Sequence, residues 1–289
     1  MILGIDIGNA AIKTSKKNIF DAKLTSIEPL NSSDVFKMDG KTFYLGEGEY
    51  DTTYRKIDKE NYLVFLYGAL AMSTNVIKNK IVLGLPLSQY KEDKNKLADL
   101  VMDNNEKEVI LNGKERRLII EDVKVYPEGV VTLEDDYEGI VIDIGGGTTD
   151  IAMVENYRGK RKIINPISFP LGTIKLYSSF IKALNAKYCL DLTIRDVDRI
   201  LRNGLIIGGE SVDIQFALNT FDSFIERLVS NMQTEYPLST NLISLTGGGG
   251  ELLYKKLSKR LGEKAVTLQN DSIFANARSY YELGCSIWE

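Results

Sequence analysis

The amino-acid sequence predicts an α/β protein built from two similar domains. The chain has 289 residues, and at roughly 150 residues per domain this length favours two domains. The tetrapeptide Ile-Asp-Ile-Gly occurs at 5–8 and again at 142–145, about half a chain apart. Each copy closes a short apolar run that enters glycine, which is the pattern of a β-strand leading into a turn. We therefore expect an internal duplication.

Composition excludes several classes of protein. Hydrophobic residues make up 44% and charged residues 26% of the chain, which is an ordinary globular mixture. The net charge of −4 predicts no general affinity for nucleic acid or acidic membranes. The chain contains no histidine, which excludes a Ser-His-Asp triad, a His-Glu-x-x-His zinc helix and a histidine phosphorelay.

The cysteines and the apolar runs predict where the protein resides. Cys189 and Cys285 are far apart and have no metal-ligand spacing, which favours a reducing compartment and two buried thiols. The first residues carry Asp6 within an apolar run and no basic leader. The longest apolar stretch, residues 62–72, is shorter than the roughly 20 residues of a membrane span. We expect a cytoplasmic protein without a membrane partner.

The first half contains several strand and helix patterns. Strands are expected at 2–7, 11–14, 81–86 and 117–126, and a helix at 94–105. The second half begins with strands at 139–144, 149–154 and 163–169, and residues 156–162 are expected to form a solvated hairpin tip.

The remainder of the second half is mostly helical between residues 173 and 236. Thr193 and Asp196 fit a capping box, and Gly204 is placed to end the helix that follows. A second helix carries apolar residues at i, i+3 and i+4 spacing and should stop before Pro237; its apolar face is Phe221, Phe224, Ile225, Leu228, Val229 and Met232. A strand is expected at 242–246, a helix at 251–261 and a last helix at 272–283.

The strongest functional signal is the second glycine loop, residues 143–150, with the sequence Asp-Ile-Gly-Gly-Gly-Thr-Thr-Asp. Glycine lets backbone N–H groups approach a polyanion closely and permits the turn that cradles phosphate. An acid beside phosphates requires an intervening cation, so Asp143 implies Mg²⁺ held through water. The alternative is a glycine-rich hairpin without a ligand. The nucleotide-binding residues predicted here are Gly145, Gly146, Gly147, Thr148 and Thr149.

The first glycine loop, residues 6–13, repeats the arrangement. Asp6 stands where Asp143 stands in the second loop, and Gly8 and Asn9 form the turn. Lys13 lies on the outgoing strand, from which its ammonium group can reach a β- or γ-phosphate. The two loops together predict a clamp on one nucleotide.

A third glycine segment, residues 245–252, combines a strand, a turn and the start of a helix. Helix N-termini bind anions, and glycine backbone can lie against a purine or sugar. We therefore predict nucleotide contacts at Gly247, Gly248, Gly249 and Glu251. Neither the Walker pattern GxxxxGK[ST] nor GxGxxG occurs, which excludes the P-loop and Rossmann motifs.

These three motifs in this order (DxGxxxxK, DIGGGTTD and TGGGGEL) resemble the actin, sugar-kinase and 70 kDa heat-shock ATPase superfamily across essentially the whole chain. The resemblance implies an actin-like ATPase fold, with two duplicated RNase H-like domains, each bearing a smaller subdomain, around a cleft for Mg²⁺ and ATP. Domain I would comprise 1–134 plus 272–289, and domain II 135–271. Residues 172–176 and the compact helical insert look like bacterial plasmid-segregation proteins of the ParM/StbA type.

The same resemblance implies catalytic residues. Glu128 looks like the carboxylate that orients the attacking water, while Asp6 and Asp143 are the acids that hold Mg²⁺ through water. The alternative for Glu128 is an exposed glutamate in a turn. Arg195, Arg199 and Arg202 are candidates for the adenine pocket by location only.

Three functions agree with this resemblance. The first is an ATPase that forms ATP-dependent dynamic filaments with itself and moves plasmid DNA indirectly, through a DNA-binding adaptor protein. The second is a small-molecule kinase, because Asp6-Ile-Gly-Asn9 also resembles the opening of type III pantothenate kinases. The third is a cell-shape cytoskeletal protein, for which a membrane-binding amphipathic tail would argue.

Overall fold

A computed structural model describes residues 1–30, 34–51 and 53–289. The described part of the first half contains ten strands and two α-helices: β1 (Ile2–Ile7), β2 (Ala11–Thr14), β3 (Ile19–Asp21), β4 (Lys23–Thr25), β5 (Asp34–Met38), β6 (Lys41–Leu45), β7 (Glu49–Tyr50), α1 (Tyr62–Ser73), β8 (Lys78–Leu85), α2 (Leu87–Met102), β9 (Glu106–Leu111) and β10 (Lys114–Pro127).

The described part of the second half contains seven strands, and five α-helices follow α2 in the chain. They are β11 (Gly139–Ile144), β12 (Thr149–Tyr157), β13 (Lys160–Phe169), α3 (Thr173–Tyr188), α4 (Val197–Asn203), β14 (Leu205–Ile207), β15 (Glu210–Val212), α5 (Gln215–Glu235), β16 (Ile243–Thr246), α6 (Gly248–Leu261), β17 (Val266–Leu268) and α7 (Ala275–Trp288).

The two main sheets have the same topology at their centres. The first contains the order β3-β2-β1-β8-β10, and the second has the order β13-β12-β11-β16-β17. In both, the first three strands are antiparallel neighbours and the last two run parallel to the central strand. The predicted duplication is confirmed. The first sheet then continues through β9, β5, β6, β4 and β7, a part that the sequence patterns did not predict.

Buried apolar strands and helices form the layers of each half. Leu3, Ile5 and Ile7 of β1 are fully buried, as expected for a central strand covered on both faces. The apolar run at 62–72 forms α1, whose side chains are buried in the first core. The last helix, α7, packs on β1 and β8. A Cβ on Gly4 would lie 2.0 Å from the Ala277 carbonyl oxygen, so glycine permits this close approach.

The helical insert of the second half follows the predicted pattern closely. Thr193 and Asp196 form the capping box, and Gly204 follows the last residue of α4 at φ 76°. The six apolar residues predicted for one face of α5 are all buried. The β14–β15 hairpin between α4 and α5 was not predicted, because its strands have three residues each.

Several predicted boundaries are wrong. Helix α2 begins at Leu87 rather than 94, and α7 extends to Trp288 after a 3₁₀ turn at Ser272–Phe274. Cys189 is exposed at the end of α3 instead of buried, while Cys285 is half-buried, and both thiols are free. The tip at Arg158 and Gly159 is a turn as expected. Arg161 beside it is not solvated but donates hydrogen bonds to backbone carbonyls of residues 130–134.

A third apolar cluster draws on both halves, and we call it the apolar junction: Leu87, Val130, Leu133, Val141, Ala152 and Val154. It joins the start of α2 to the strands β11 and β12 that flank the second glycine loop. Within the described part of the chain, the helices are all too short or too polar to cross a membrane.

Candidate functional site

A cavity between the two halves contains most of the predicted site residues. Its lining includes Asp6, Gly8, Asn9, Lys13, Glu128, Asp143, Gly145, Gly146, Thr148, Gly247, Gly248 and Gly249. The lining residues that were not predicted include Lys56, Asp150 and Asn276. Both glycine loops and the start of α6 therefore meet at one place.

Three predicted binding residues lie outside this lining. The Thr149 hydroxyl is buried and donates to the Leu171 carbonyl (2.6 Å), so it is not available to a ligand. Gly147 packs against the side chain of Asn9, which a Cβ would meet at 2.5 Å. Glu251 is exposed on α6 and accepts a long hydrogen bond from Ser272 (3.4 Å).

The first glycine loop places a carboxylate against an ammonium group. Asp6 and Lys13 are cross-strand partners on β1 and β2, and their side chains form a buried ion pair of 2.8 Å. Lys56 Nζ lies 3.9 Å from the other Asp6 oxygen. Burial favours the neutral acid, but the two ammonium groups outweigh it and hold the pKa of Asp6 below its usual value. Lys13 therefore neutralises Asp6.

The second glycine loop places two carboxylates at the matching positions. Asp143 and Asp150 are cross-strand partners on β11 and β12. Burial raises the pKa of Asp143 to about 6, and Asp150 adds to the rise, while the hydrogen bond from Asn276 opposes it. The Asn276 amide donates to Asp143 Oδ2 (2.7 Å) and its oxygen accepts from the Gly129 N–H (3.0 Å). Asn276 thus connects α7, the Asp143 carboxylate and the segment beside Glu128.

Glu128 lies in the turn that directly follows β10, but its side chain is buried and not exposed. Its backbone N–H donates to the Leu85 carbonyl (2.9 Å), and its carboxylate contacts the Lys56 ammonium group. Burial raises the pKa of Glu128 to about 8, and the nearby Asp6 and Asp150 carboxylates add to this despite Lys56. Gly129 has φ 73° and packs against Asp143, so it lets the chain turn directly after Glu128.

Lys56 is the charged cavity residue that sequence patterns missed most clearly. It begins the 3₁₀ turn Lys56–Asp58, and only 2% of its side chain is exposed. Burial disfavours its charge, but Glu128 and Asp6 outweigh this and raise its pKa. It lies in a polar stretch with no motif, so the sequence carries no signal that separates it from a surface lysine.

The charges of the cavity fit a divalent cation. Asp6, Glu128, Asp143 and Asp150 face two lysines, which leaves two negative charges when every carboxyl group is ionised. Phosphates would add to this excess, which a divalent cation would offset. The described residues include no cluster of three or more acids, cysteines or histidines that could hold a metal.

The start of α6 fits an anionic or planar ligand. Gly248 is the first residue of α6 and lines the cavity. A Cβ on Gly248 would meet no atom within 4 Å, and its backbone does not have a positive φ. Neither packing nor conformation requires glycine at this position, so its effect is to keep the cavity open at a helix N-terminus.

The three arginines predicted by location lie elsewhere. Arg195 donates to the Gly48 carbonyl (3.0 Å) and is 3.8 Å from Glu47. Arg199 pairs with Asp196, and Arg202 donates to the backbone of Asp198. They do not line the cavity, because the insert directs this face of its helices towards solvent and the edge of the first sheet.

Comparison with solved structures identifies the fold. A 15-stranded ParM filament from Clostridium botulinum superposes with a TM-score of 0.83 at 20% identity, covering 99% of each chain. An archaeal actin homologue in complex with ADP gives a TM-score of 0.84 at 18% identity, again over 99% of each chain. The chain has the actin-like ATPase fold. No curated protein matches the sequence.

Two family models match parts of this actin-like chain. The N-terminal domain of actin-like proteins matches residues 4–130, which include the first glycine loop, Lys56 and Glu128. The Ppx/GppA phosphatase family matches residues 107–199, which include Glu128 and the second glycine loop. An Alp12 filament structure also matches, with a TM-score of 0.68 at 18% identity over 100% of this chain and 99% of that one.

Proposed function

We propose that the protein binds Mg²⁺ and ATP in this cavity, hydrolyses the γ-phosphate, and assembles into filaments whose lifetime depends on the bound nucleotide. One observation carries the proposal: both glycine loops, the start of α6 and a buried cluster of four acids and two lysines line the same cavity. Phosphoryl transfer to water needs positioning and charge neutralisation more than covalent chemistry, and this cluster offers both.

Each group has a distinct part in the proposed reaction. Lys13 and the loop amides at Gly8, Gly145 and Gly146 bind phosphate oxygens. Asp6 and Asp143 hold the hydration shell of Mg²⁺, which neutralises the phosphate charge when bound. Because phosphate competes with Asp6 for Lys13, binding would release Asp6 from its ion pair.

Glu128 is the residue proposed to act on the attacking water. Its carboxylate can accept a hydrogen bond from water and orient it towards the γ-phosphate. Lys56 holds this carboxylate in place. The nucleoside is proposed to lie at Gly247–Gly249, where Gly248 leaves space.

The domain division that we propose is 1–134 plus 272–289 for domain I and 135–271 for domain II. The two sheets draw their strands from residues 2–127 and 139–268, and α7 packs on the first sheet. Likeness to ParM and Alp12 filaments supports self-assembly. Plasmid segregation through a DNA-binding adaptor, in the cytoplasm, is the cellular role that we propose on the same basis.

The match to the phosphatase family favours a second candidate, a hydrolase of phosphate substrates that does not assemble. The kinase alternative rests only on the resemblance of residues 6–9 to the opening of type III pantothenate kinases. A phosphatase or a kinase would act on its phosphate substrate without forming polymer, so an assembly assay separates both from the leading proposal.

The test combines light scattering and phosphate release on one sample. With Mg-ATP, the unmodified protein should assemble, release phosphate and then disassemble. With EDTA it should neither assemble nor release phosphate. Glu128→Ala should still assemble while its hydrolysis falls roughly 10²–10⁴-fold, so its polymers should persist. Wild-type hydrolysis by this variant would remove Glu128 from the mechanism. Phosphate release without any scattering would favour the non-assembling hydrolase.

A further inference from the structure

Asp150, the last residue of the second glycine loop, bonds to both halves of the molecule. One carboxylate oxygen accepts the Leu87 N–H (2.8 Å) and the Ser168 hydroxyl, and the other accepts the Thr148 hydroxyl (3.0 Å). Asp150 is only 2% exposed. Thr148 belongs to the loop that lines the cavity, whereas Leu87 is the first residue of α2 in the other half.

Helix α2 has no N-terminal cap of its own. Its N-cap position is Pro86, which makes no side-chain capping bond. The first N–H groups of a helix need acceptors, and an acid there also interacts favourably with the helix dipole. Asp150 caps Leu87, and Ser168 accepts the next N–H, from Ser88 (3.0 Å). The cap of this helix therefore comes from the opposite half of the molecule.

Residues 84–89, around the start of α2 that Asp150 caps, also contact the two groups that are proposed to act in hydrolysis. Glu128 donates its backbone N–H to Leu85 (2.9 Å), and Lys56 Nζ donates to Gly84 (3.4 Å). The Lys56 backbone N–H donates to the Gln89 side chain on α2 (3.1 Å). A shift of residues 84–89 relative to the second loop would therefore move Glu128 and Lys56 away from any phosphate that Thr148 contacts.

We propose that Asp150 is a positioning residue that sets the register between the second glycine loop and the Glu128–Lys56 pair by capping α2 across the cleft. It rests on the proposed function, because the register matters only if phosphate is hydrolysed there. Asp150 does not act on the substrate itself. Its loss should lower the turnover number far more than nucleotide affinity, because a misplacement of about 1 Å costs about 10²-fold in rate.

A matched pair of variants isolates the capping hydrogen bond. Leu87→Pro removes the N–H that Asp150 accepts, and proline suits the first position of a helix. Pro86 has φ −52° and ψ 147°, which is the conformation favoured before proline. Leu87→Ala keeps the N–H, and both variants remove the leucine side chain from the apolar junction. The difference between them therefore reports the cap.

Turnover and KM for ATP are measured by phosphate release, with a thermal melt of each variant. Leu87→Pro should turn over at least about tenfold more slowly than Leu87→Ala, with KM values within about threefold. Asp150→Ala should lose about 10²-fold in turnover, and Asp150→Asn, which keeps an acceptor for Leu87, should recover most of it. Ser168→Ala removes the neighbouring cap but leaves Asp150 in place, and should stay within about threefold of the unmodified protein.

Equal turnover of Leu87→Pro and Leu87→Ala would overturn the positioning role. A loss of turnover in Ser168→Ala as large as that in Asp150→Ala would overturn it as well. If Asp150→Ala does not fold, the comparison of Leu87→Pro with Leu87→Ala and the turnover of Asp150→Asn still test the positioning role. If the unmodified protein releases no phosphate, the proposed function itself fails, which is a different result from an active protein that is indifferent to the cap.

Discussion

The two glycine loops have the same backbone plan and opposite charge at one matching position. Each begins with an aspartate on the central strand of its sheet, and the residue seven positions later is its cross-strand partner. That partner is Lys13 in the first loop and Asp150 in the second. Lys13 forms an ion pair with Asp6 within the loop, whereas Asp150 caps a helix of the other half.

This difference shows how a duplicated element can acquire two roles. In the first loop the lysine lowers the pKa of Asp6. In the second loop the matching acid contributes to a raised pKa of Asp143, and the neutral amide of Asn276 takes the place of a cation. The first loop therefore contains its own cationic partner, whereas the second loop has no lysine at the matching position and leaves Asp143 poorly neutralised.

The largest effect that tests this difference should come from Asp143→Ala. The affinity for ATP in the presence of Mg²⁺ should fall about 10–100-fold, the usual cost of losing a group that orients a metal's shell. Calorimetry with and without EDTA checks this. In EDTA the variant should bind ATP at least as tightly as the unmodified protein, because no cation then offsets the repulsion between Asp143 and the phosphates.

Lys13→Ala is the matched variant in the first loop. It removes a phosphate contact and not a metal contact, so it should weaken ATP binding with or without Mg²⁺. An Asp143→Ala variant with unchanged Mg-ATP affinity would show that the second loop does not depend on a cation.

An intermediate effect is expected in the pH dependence of stability. Without nucleotide, the folded-state pKa values of Asp143 (about 6) and Glu128 (about 8) lie above those of the unfolded chain. The native state therefore holds extra protons between about pH 4 and pH 8, and its free energy of unfolding should fall as pH rises through this range. The loss should be on the order of several kcal/mol, at about 1.4 kcal/mol per pKa unit.

Urea unfolding in EDTA at several pH values measures this dependence. Asp143→Asn and Glu128→Gln should each flatten part of the slope. Asp6→Asn should flatten it less, because the pKa of Asp6 is itself lowered and the variant removes only the part that Asp6 adds to the raised pKa values of Glu128 and Asp143. A stability that rises from pH 5 to pH 8 would contradict the assignment of excess protons to this cluster.

The smallest effect should come from a partly exposed polar contact that joins the two halves outside the cavity. Arg195 joins the second half to Gly48 and Glu47 of the first through partly exposed groups, and exposed pairs contribute about 0–1 kcal/mol. Arg195→Ala should speed release of a fluorescent ADP analogue no more than about fivefold, which is the rate equivalent of 1 kcal/mol. Stopped-flow fluorescence measures this release.

Arg199→Ala is the control for Arg195, since Arg199 pairs with Asp196 inside its own half. It should release the analogue at the unmodified rate. If Arg195→Ala slowed turnover as strongly as the loss of the Asp150 cap, the exposed contact and not the buried one would control the relative position of the halves.

The sequence by itself determined the duplication, the two glycine loops and a helix after the third glycine segment, although that helix begins at Gly248 and not at 251 as predicted. Each of these is a contiguous pattern in which a few neighbouring residues carry the whole physical requirement: an acid at a strand end, glycines in a turn, or a capping box. The buried face of α5 was predictable for the same reason, because helical periodicity is local. Glu128 was chosen from the family resemblance, and its catalytic part stays a prediction.

Only the tertiary structure decided the contacts of Lys56, Asn276 and Asp150. Lys56 contacts Glu128 across 72 positions, Asn276 reaches Asp143 across 133, and Leu87 reaches Asp150 across 63. No local pattern marks such pairs, since the contact arises when separate strand ends and helix starts pack together. Burial in the closed cluster then shifts the pKa values of these acids and lysines, and burial is a property of the assembled fold.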